Sequence, residues 1–365
     1  MKTGILTFHR ALNYGAVLQA YALRKTICDL GHDCEVIDYG IIGQEPRINL
    51  SFNGFKPFIA SVLINLLSYF NADIRRSRFS KFRRNYLKTS TKRYLSNTDI
   101  KESIKNYDAF VTGSDQVWNP YLSNNDNSYF LDFVSVTKTK ISYAASFGLS
   151  KIPVEVKKEY ALLINRFNSV SVRESEGKEI IKELIGRDSE LVLDPTFLLT
   201  GENWLDIANP VSISGPYILC FVIMADPPGF MDFCHYLKKI TGYKIIRVVN
   251  PKYKLDFSLK IIASAGPLEF LGLMKNASIV VTNSFHGTAF SIIFKKPFYT
   301  FLYNNDRDIR LKEITQKLGL SDRLICNRSQ QPLSESINID YTEPYKILQI
   351  EIHKSVNFLK NSLTN

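Results

Sequence analysis

Residues 4–39 read GILTFHRALNYGAVLQAYALRKTICDLGHDCEVIDY, and the spacing of apolar and polar positions here decides the fold. GILTF is a short run with strand character, and HRALNYG is a turn. AVLQAYALRKTICDLG then carries apolar residues at helical spacing and closes on Gly31, after which DCEVIDY makes a second strand. A strand, a helix and a strand in such close succession predict a parallel pair joined by a crossover helix. The rhythm continues in YDAFVTGSD, KISYAASFG, NSVSVRE and ELVLDPTF, each a β-rich run with a small or polar ending. In parallel sheets ligands lie at the carboxyl ends of the strands, so these endings are where chemistry is expected.

A second round follows TGENWLDIANPVSISGP (200–216), a Gly-, Pro- and Asn-rich linker. YILCFVIM opens it, then a helix near GFMDFCHYLKKITG, the strand YKIIRVVN, the helix GPLEFLGLMKNA, the strand SIVVTNS, a helix after His286 and the strand PFYTFLY. A chain of 365 residues exceeds one ordinary core. The expected architecture is α/β: two Rossmann-like domains with parallel sheets, facing across a cleft. Residues 1–200 form the first, with a basic helical insertion at about 44–106, and residues 215–340 form the second. A closing helix within 341–365 packs back on the first.

With 45% hydrophobic residues, 24 Phe and 19 Tyr, the composition excludes a disordered chain. MKTGILTF has no secretory signature, and no stretch reaches the roughly 18–20 uninterrupted apolar residues of a membrane span. The five cysteines (28, 34, 220, 234, 326) are odd in number and lack CxxC spacing. That argues for reduced thiols in a cytoplasmic protein, against a disulfide framework or zinc knuckle. Cys28 and Cys34 read as small hydrophobes near the first helix and second strand.

Much of the net charge of +11 is local: residues 71–93 hold nine basic side chains against one acid, Asp73. Just before them, FKPFIASVLINLLSYF (55–70) is apolar, with Ser61, Asn65 and Ser68 on one helical stripe. Two readings stay open. The segment lies in a membrane interface with its cations on lipid phosphates, or it is a core-packed helix followed by a solvated basic one. In the first reading Arg75, Arg76, Arg78, Lys81, Arg83 and Arg84 meet the inner face of the plasma membrane or a lipid diphosphate.

Several strand endings carry candidate site residues. Asn13 and Gly15 stand where the first strand meets the first helix, suited to an anion at a helix N-terminus; Asn13 also fits a plain helix cap. Gly113, Ser114 and Asp115 end an apolar strand shortly before Trp118, a set suited to a sugar, or else a helix start with Trp118 in the core. Arg173 ends another strand and offers a fork for phosphate or carboxylate, or pairs with Glu174 or Glu176. In TNSFHGTAF (282–290), Asn283, Ser284 and His286 sit between a buried strand and a helix. A histidine there can give or take a proton near neutral pH, or be a satisfied structural residue. Arg307 and Arg310 can reach the same mouth. No His/Asp/Glu spacing suits a metal.

Taken in order, NYGAVLQAYAL, GSDQVWNP, SYAASFG, SVRESEG, LDPTFLL, GPLEFLGLMKNAS and TNSFHGTAFSIIFKKPF resemble the polysaccharide pyruvyl transferase family over most of the chain. The resemblance implies a GT-B-like fold and transfer of a pyruvyl group from phosphoenolpyruvate to a sugar, forming a cyclic ketal and releasing phosphate. It implies no metal or organic cofactor, no nucleic acid, and an acceptor carried on a lipid diphosphate. It places a donor-binding arginine at Arg173 and the catalytic histidine at His286; on the chemistry alone, Asp115 is assigned to deprotonate the acceptor. Two departures stand out. Ser284-Phe285-His286 replaces the family's Arg-Leu-His, and YNNDR replaces a Tyr-Lys loop, leaving Arg307 and Arg310 to supply the charge. The competing expectations are a GT-B glycosyltransferase using a nucleotide sugar, and a non-catalytic anion-binding relative.

Overall fold

The computed structural model describes residues 1–40, 58–249, 260–326 and 337–364, without the side chains of residues 58–68 and Arg307. Two six-stranded sheets make up the two halves. The first contains β1 (Lys2–Leu6), β2 (Asp33–Val36), β3 (Ala109–Thr112), β4 (Thr139–Ala145), β5 (Ser169–Val172) and β6 (Glu190–Leu191), in the order β2-β1-β3-β4-β5-β6. The second contains β7 (Tyr217–Phe221), β8 (Lys244–Val248), β9 (Lys260–Ile262), β10 (Ile279–Thr282), β11 (Phe298–Phe301) and β12 (Leu324–Ile325), in the order β12-β11-β10-β7-β8-β9.

Every pairing is parallel, which is the doubly wound architecture expected from the strand–helix rhythm. The central strands AFVT and IVVT are buried at every position because helices cover both sheet faces. Ten strands match runs visible in the sequence. Two do not: β9 and β12 are edge strands of three and two residues, too short to leave a pattern. Strand order reverses between β1 and β3, and again between β7 and β10, so each half has one switch point where a crevice opens.

The halves meet along an apolar seam that continues from one core into the other. Helix α1 (Tyr14–Asp29) follows β1 and sends Tyr14 across it. The Tyr14 ring stacks on Phe270 at 4.5 Å, and its hydroxyl donates to the Ala265 carbonyl at 2.9 Å. The Cys220 and Cys234 thiols, on β7 and the helix that follows it, lie in contact and buried at 3.3 Å. The closing helix, Thr342–Thr364, buries Leu348, Leu359 and Leu363, accepts the Leu193 amide on Ser355 Oγ at 3.0 Å and sets Phe358 against Tyr143. It therefore runs back over the first sheet.

Among its described residues the basic insertion has cations of two kinds, some turned inward and some facing outward. Helix α2 (Phe58–Phe82) is one continuous element of 25 residues, because no Gly or Pro interrupts its hydrogen-bond ladder. Residues 44–57 of the insertion, and the side chains of Ser61, Asn65 and Ser68, lie outside the described residues. Three of the expected lipid-facing cations bond to backbone carbonyls of the protein. Arg75 is buried on the Tyr14 and Phe79 rings and donates to Val249 O at 3.1 Å and Leu12 O at 3.2 Å, one from each half. Arg78 donates to Ser264 O at 3.1 Å and faces Glu269 at 3.5 Å. Arg83 donates to Arg10 O at 3.4 Å. Arg76 is half-buried beside Asp73, while Lys81 and Arg84 face outward. A guanidinium bonded to two carbonyls across a seam ties the halves together rather than meeting a membrane.

Arg75→Met strips both carbonyls of their donor, at a cost of about 1–3 kcal/mol. At roughly 2–4 °C per kcal/mol, scanning calorimetry should show Tm falling by several degrees, while Arg84→Met leaves it in place. Equal, negligible shifts in both variants would show that Arg75 does not join the halves.

Candidate functional site

A cleft of about 390 Å³ lies between the two switch points. The first half lines it with Phe8, Arg10 and Asn13 after β1, Tyr39 and Gly40 after β2, and Asp115 and Gln116 after β3. The second half contributes Ile223 after β7, Ser284, Phe285 and His286 after β10, and Arg310 from helix Ile309–Lys317. Parallel strands that all point the same way deliver these polar endings to one mouth.

His286 is placed by its local sequence. IVVT ends β10, and Ser284 caps the helix Phe285–Ile293, its Oγ accepting from Gly287 N at 3.3 Å. His286 thus stands in the first turn of a buried helix and is itself 8% exposed. The ring reaches into the first half, where it meets α1. A Cβ added at Gly15 would lie 1.9 Å from His286 Nδ1, so only glycine leaves space for the imidazole there. Asn13 caps α1, its Oδ1 accepting from Gly15 N at 2.9 Å and Ala16 N at 3.4 Å, and also lines the cleft.

Behind the ring lies a buried charge network. Asp194, with no exposed surface on its side chain, accepts on Oδ2 from Arg173 Nη1 at 2.6 Å and Ser114 Oγ at 3.1 Å. Its Oδ1 accepts from Thr196 N at 3.0 Å and Thr196 Oγ1 at 2.8 Å. His286 Nε2 stands 3.7 Å from Oδ2, an ion-pair distance too long for a hydrogen bond. Burial alone would raise the Asp194 pKa, but His286, Arg173 and the Thr196 amide outweigh it and hold the carboxyl well below its usual range.

Arg173 also donates through Nε to Glu174 at 3.1 Å and stands 4.0 Å from Asp115. Burial works against its charge, yet Glu174, Asp194 and Asp115 together raise its pKa further. The Arg173 and Arg310 guanidiniums both lie against the Phe285 ring, at 5.1 and 5.6 Å. Burial, and then the charge of Arg173, push the Arg310 pKa down, opposed by Glu174, whose carboxylate stands 3.7 Å from Arg310 Nε.

Asp115 occupies a strained position, with φ at +81° in the left-handed region. Its carbonyl accepts from Ser146 N at 3.1 Å and its Oδ1 from Gln116 N at 2.9 Å, which hold the turn. A non-glycine residue kept there costs about 1–3 kcal/mol and turns the carboxylate onto the cleft wall.

The structure therefore joins Asn13, Gly15, Asp115, Ser284, His286 and Arg310 at one cleft and sets others aside. Trp118 is fully buried, stacked on Phe130 at 5.3 Å, and cannot meet a sugar. Its Nε1 supports the Tyr129 carbonyl at 3.2 Å, and Phe8, packed edge-on against the buried Tyr129, lies on the cleft wall instead. Gly113 packs against Thr7, Leu23 and Ile5. Ser114 is buried and spends its hydroxyl on Asp194. Asn283 supports the Ile223 backbone, accepting from its amide at 2.9 Å. Arg173 lies behind the cleft wall rather than on it, because three carboxylates draw it inward. The side chain of Arg307 lies outside the described residues.

Sequence reasoning passed over Asp194, Arg10 and Arg93. Asp194 was in view in LDPTF but reads as a turn before Pro195; only the pairing of β5 with β6 brings it to Arg173. Among the described residues no group of three His, Cys, Asp or Glu is arranged to hold a metal, and no helix is long and apolar enough to cross a membrane.

Two Rossmann-like domains facing across a charged cleft define a GT-B-like protein. The sequence profile of the family described as polysaccharide pyruvyl transferase matches residues 13–305. The chain belongs to that family. No curated protein sequence matches it. Among solved structures, UDP-GlcNAc 2-epimerase from Methanocaldococcus jannaschii is 15% identical, covering 97% of this chain and 100% of its own, with a TM-score of 0.48. UGT89C1 of Arabidopsis thaliana, complexed with UDP-L-rhamnose, is 10% identical over 98% of each chain, with a TM-score of 0.49.

The depressed Asp194 pKa makes a signed prediction. Above the ordinary value of 3.8 the carboxyl is charged in folded and unfolded chains alike, and its stabilisation is complete. As pH falls below it, the unfolded chain takes up a proton that the folded site refuses, so stability drops. The urea midpoint should therefore fall between about pH 5 and pH 2, less steeply in Asp194→Asn than in wild type. Identical slopes would rule out a charged Asp194.

Proposed function

We propose that this family member transfers a pyruvyl group from phosphoenolpyruvate to a hexose of a surface-polysaccharide precursor, closing a 1-carboxyethylidene ketal and releasing phosphate. The observation that supports it most is His286 at the cleft, backed by the buried Asp194 carboxylate and flanked by Arg310. Phosphoenolpyruvate brings a carboxylate and a phosphate, which Arg310 and the capped turn at Ser284 receive. The imidazolium, with Asp194 as counter-charge, protonates the methylene carbon to a methyl group and leaves C2 cationic. Asp115 takes the proton from an acceptor hydroxyl as its oxygen bonds to C2. A second hydroxyl of the same sugar then attacks C2, the C2–O bond to phosphate breaks, and inorganic phosphate departs with the second proton. Arg173 is a positioning residue here, holding Asp194 and Asp115 in place. The reaction as proposed uses side chains alone, with no metal or organic cofactor.

The test is phosphate release from phosphoenolpyruvate with a panel of galactosides and N-acetylhexosaminides. Wild type should release phosphate only with an acceptor, and His286→Ala should lose about 10²–10⁴-fold. No release with any acceptor, together with thermal stabilisation by UDP- or GDP-sugars, would make the protein a nucleotide-sugar enzyme.

We also propose that the acceptor is lipid-linked and that α2 rests on the membrane. Tyr69 is 48% exposed and Phe70 61%, with Ile74 also exposed and Lys81 and Arg84 outward beyond them. Binding to anionic liposomes should weaken in Lys81→Gln/Arg84→Gln; unchanged binding would sink this contact.

A further inference from the structure

Not every polar group on the cleft wall is open to a ligand. Arg10 closes its fork on both Asp38 oxygens, each at 2.7 Å. Gln116 differs, and a chain of hydrogen bonds decides which end of its amide stays open. Asn119 caps the short helix Pro120–Ser123, its Oδ1 accepting from Tyr121 N at 3.0 Å. A backbone amide only donates, so this bond fixes which end of the Asn119 side chain is oxygen and turns Nδ2 to Gln116. Nδ2 donates to Gln116 Oε1 at 3.1 Å, which fixes the second amide in the same way. Gln116 Nε2 is left with both its hydrogens and no hydrogen-bond partner among the described residues. Gln116 lines the cleft, so its amide meets an arriving molecule as a donor.

The placement is built. Asn119 N donates to Gln116 O at 3.1 Å and closes the turn that carries both amides. Gly148, at φ +62°, lies against the Gln116 side chain, and an added Cβ there would stand 2.5 Å from Oε1. Beside it, Asp115 spends Oδ1 on Gln116 N at 2.9 Å and has no hydrogen-bond partner for Oδ2 among the described residues. An oxygen that accepts and a nitrogen that donates thus stand on consecutive residues of one wall. Neighbouring oxygens of a sugar ring, one donating and one accepting, match that pair.

We propose that Gln116 is a specificity-determining residue for the acceptor, its Nε2 donating to the sugar oxygen beside the hydroxyl that Asp115 deprotonates. The inference rests on the acceptor reading above and deepens it. The oxygen belongs either to a second hydroxyl or to the carbonyl of an N-acetyl group; both accept an N–H, and a protonated amine does not. With the ring held at that oxygen, one hydroxyl rather than its neighbours is presented to Asp115.

Ligand-observed NMR titration without donor tests it, on wild type and Gln116→Met. The probes are methyl β-galactoside and methyl N-acetyl-β-glucosaminide, each with analogues in which the hydroxyl or acetamido group at one carbon is replaced by hydrogen. Wild type should bind at least one parent glycoside, and one of its deletions should weaken binding about fivefold, the worth of a single hydrogen bond. Gln116→Met should bind the parent as weakly as wild type binds that analogue, and the same deletion should then cost nothing. The deletion that behaves in this way identifies the oxygen. If Gln116→Met weakened the parent and every analogue alike, the residue would only support the turn, and the proposal would fall. It would fall equally if Gln116→Met kept the wild-type affinities or if neither parent bound. Phosphoenolpyruvate and turnover do not enter this measurement, so it can fail while phosphate release succeeds, and the reverse.

Discussion

Asp194 carries a negative charge where water does not reach it, and the architecture of the cleft depends on how that charge is answered. Arg173, Ser114 and the Thr196 amide and hydroxyl surround it at bonding distance. Each comes from the first half. The remaining neighbour, His286, comes from the second. Removing one member of such a buried set costs about 3–5 kcal/mol, because the partner is left charged and unpaired. The same cost keeps Arg173 drawn inward and Asp115 within 4.0 Å of it. The set is complete only when the two halves are docked, so the chemistry at the cleft and the packing of the domains are one constraint.

The turn after β1 is where that constraint is enforced. Within three residues, Asn13 caps α1 and faces the cleft, Tyr14 crosses the seam to Ala265 and Phe270, and Gly15 leaves room for the His286 ring. Arg75 then lies over the Tyr14 ring and bonds to a carbonyl from each half. Aromatic contact of this kind adds about 0.5–1.5 kcal/mol beyond burial, and here it also sets a distance. If Tyr14 shifted along the seam, Gly15 would move with it and the space for the imidazole would close. The apolar cluster running through both cores opposes such a slide.

How far the sequence reveals this follows from what each residue type can signal. Strands with several buried β-branched positions, such as SVSV and IVVT, announce themselves, whereas β9 and β12 are too short to do so. His286 was legible because a histidine between a buried strand and a helix has few structural reasons to be there. Trp118 was misleading. Its neighbours Ser114 and Asp115 suggest a sugar site, but the loop turns its indole under Tyr129, and only tertiary packing shows that Phe8 lies on the cleft wall and Trp118 does not. Arg75 was misleading for the converse reason. A charge run looks solvated in one dimension, yet a helix has faces, and every third or fourth member of the run meets the other domain. Asp194 and the Arg10–Asp38 pair depend on which strands are neighbours, information that local pattern does not hold.

The departure at Ser284 has a geometric answer. Where the resemblance leads one to expect a cation stands a hydroxyl that caps the helix carrying His286. Arg310 comes from the helix after β11, lies against the face of Phe285, the residue between Ser284 and His286, and opens onto the same cleft. Its pKa is pushed down by burial and by Arg173, while Glu174, 3.7 Å from its Nε, works the other way. The second half thus presents a cation to the cleft from a neighbouring helix, held against an aromatic ring. That ring fixes Arg310 relative to His286 more firmly than a flexible surface arginine would be.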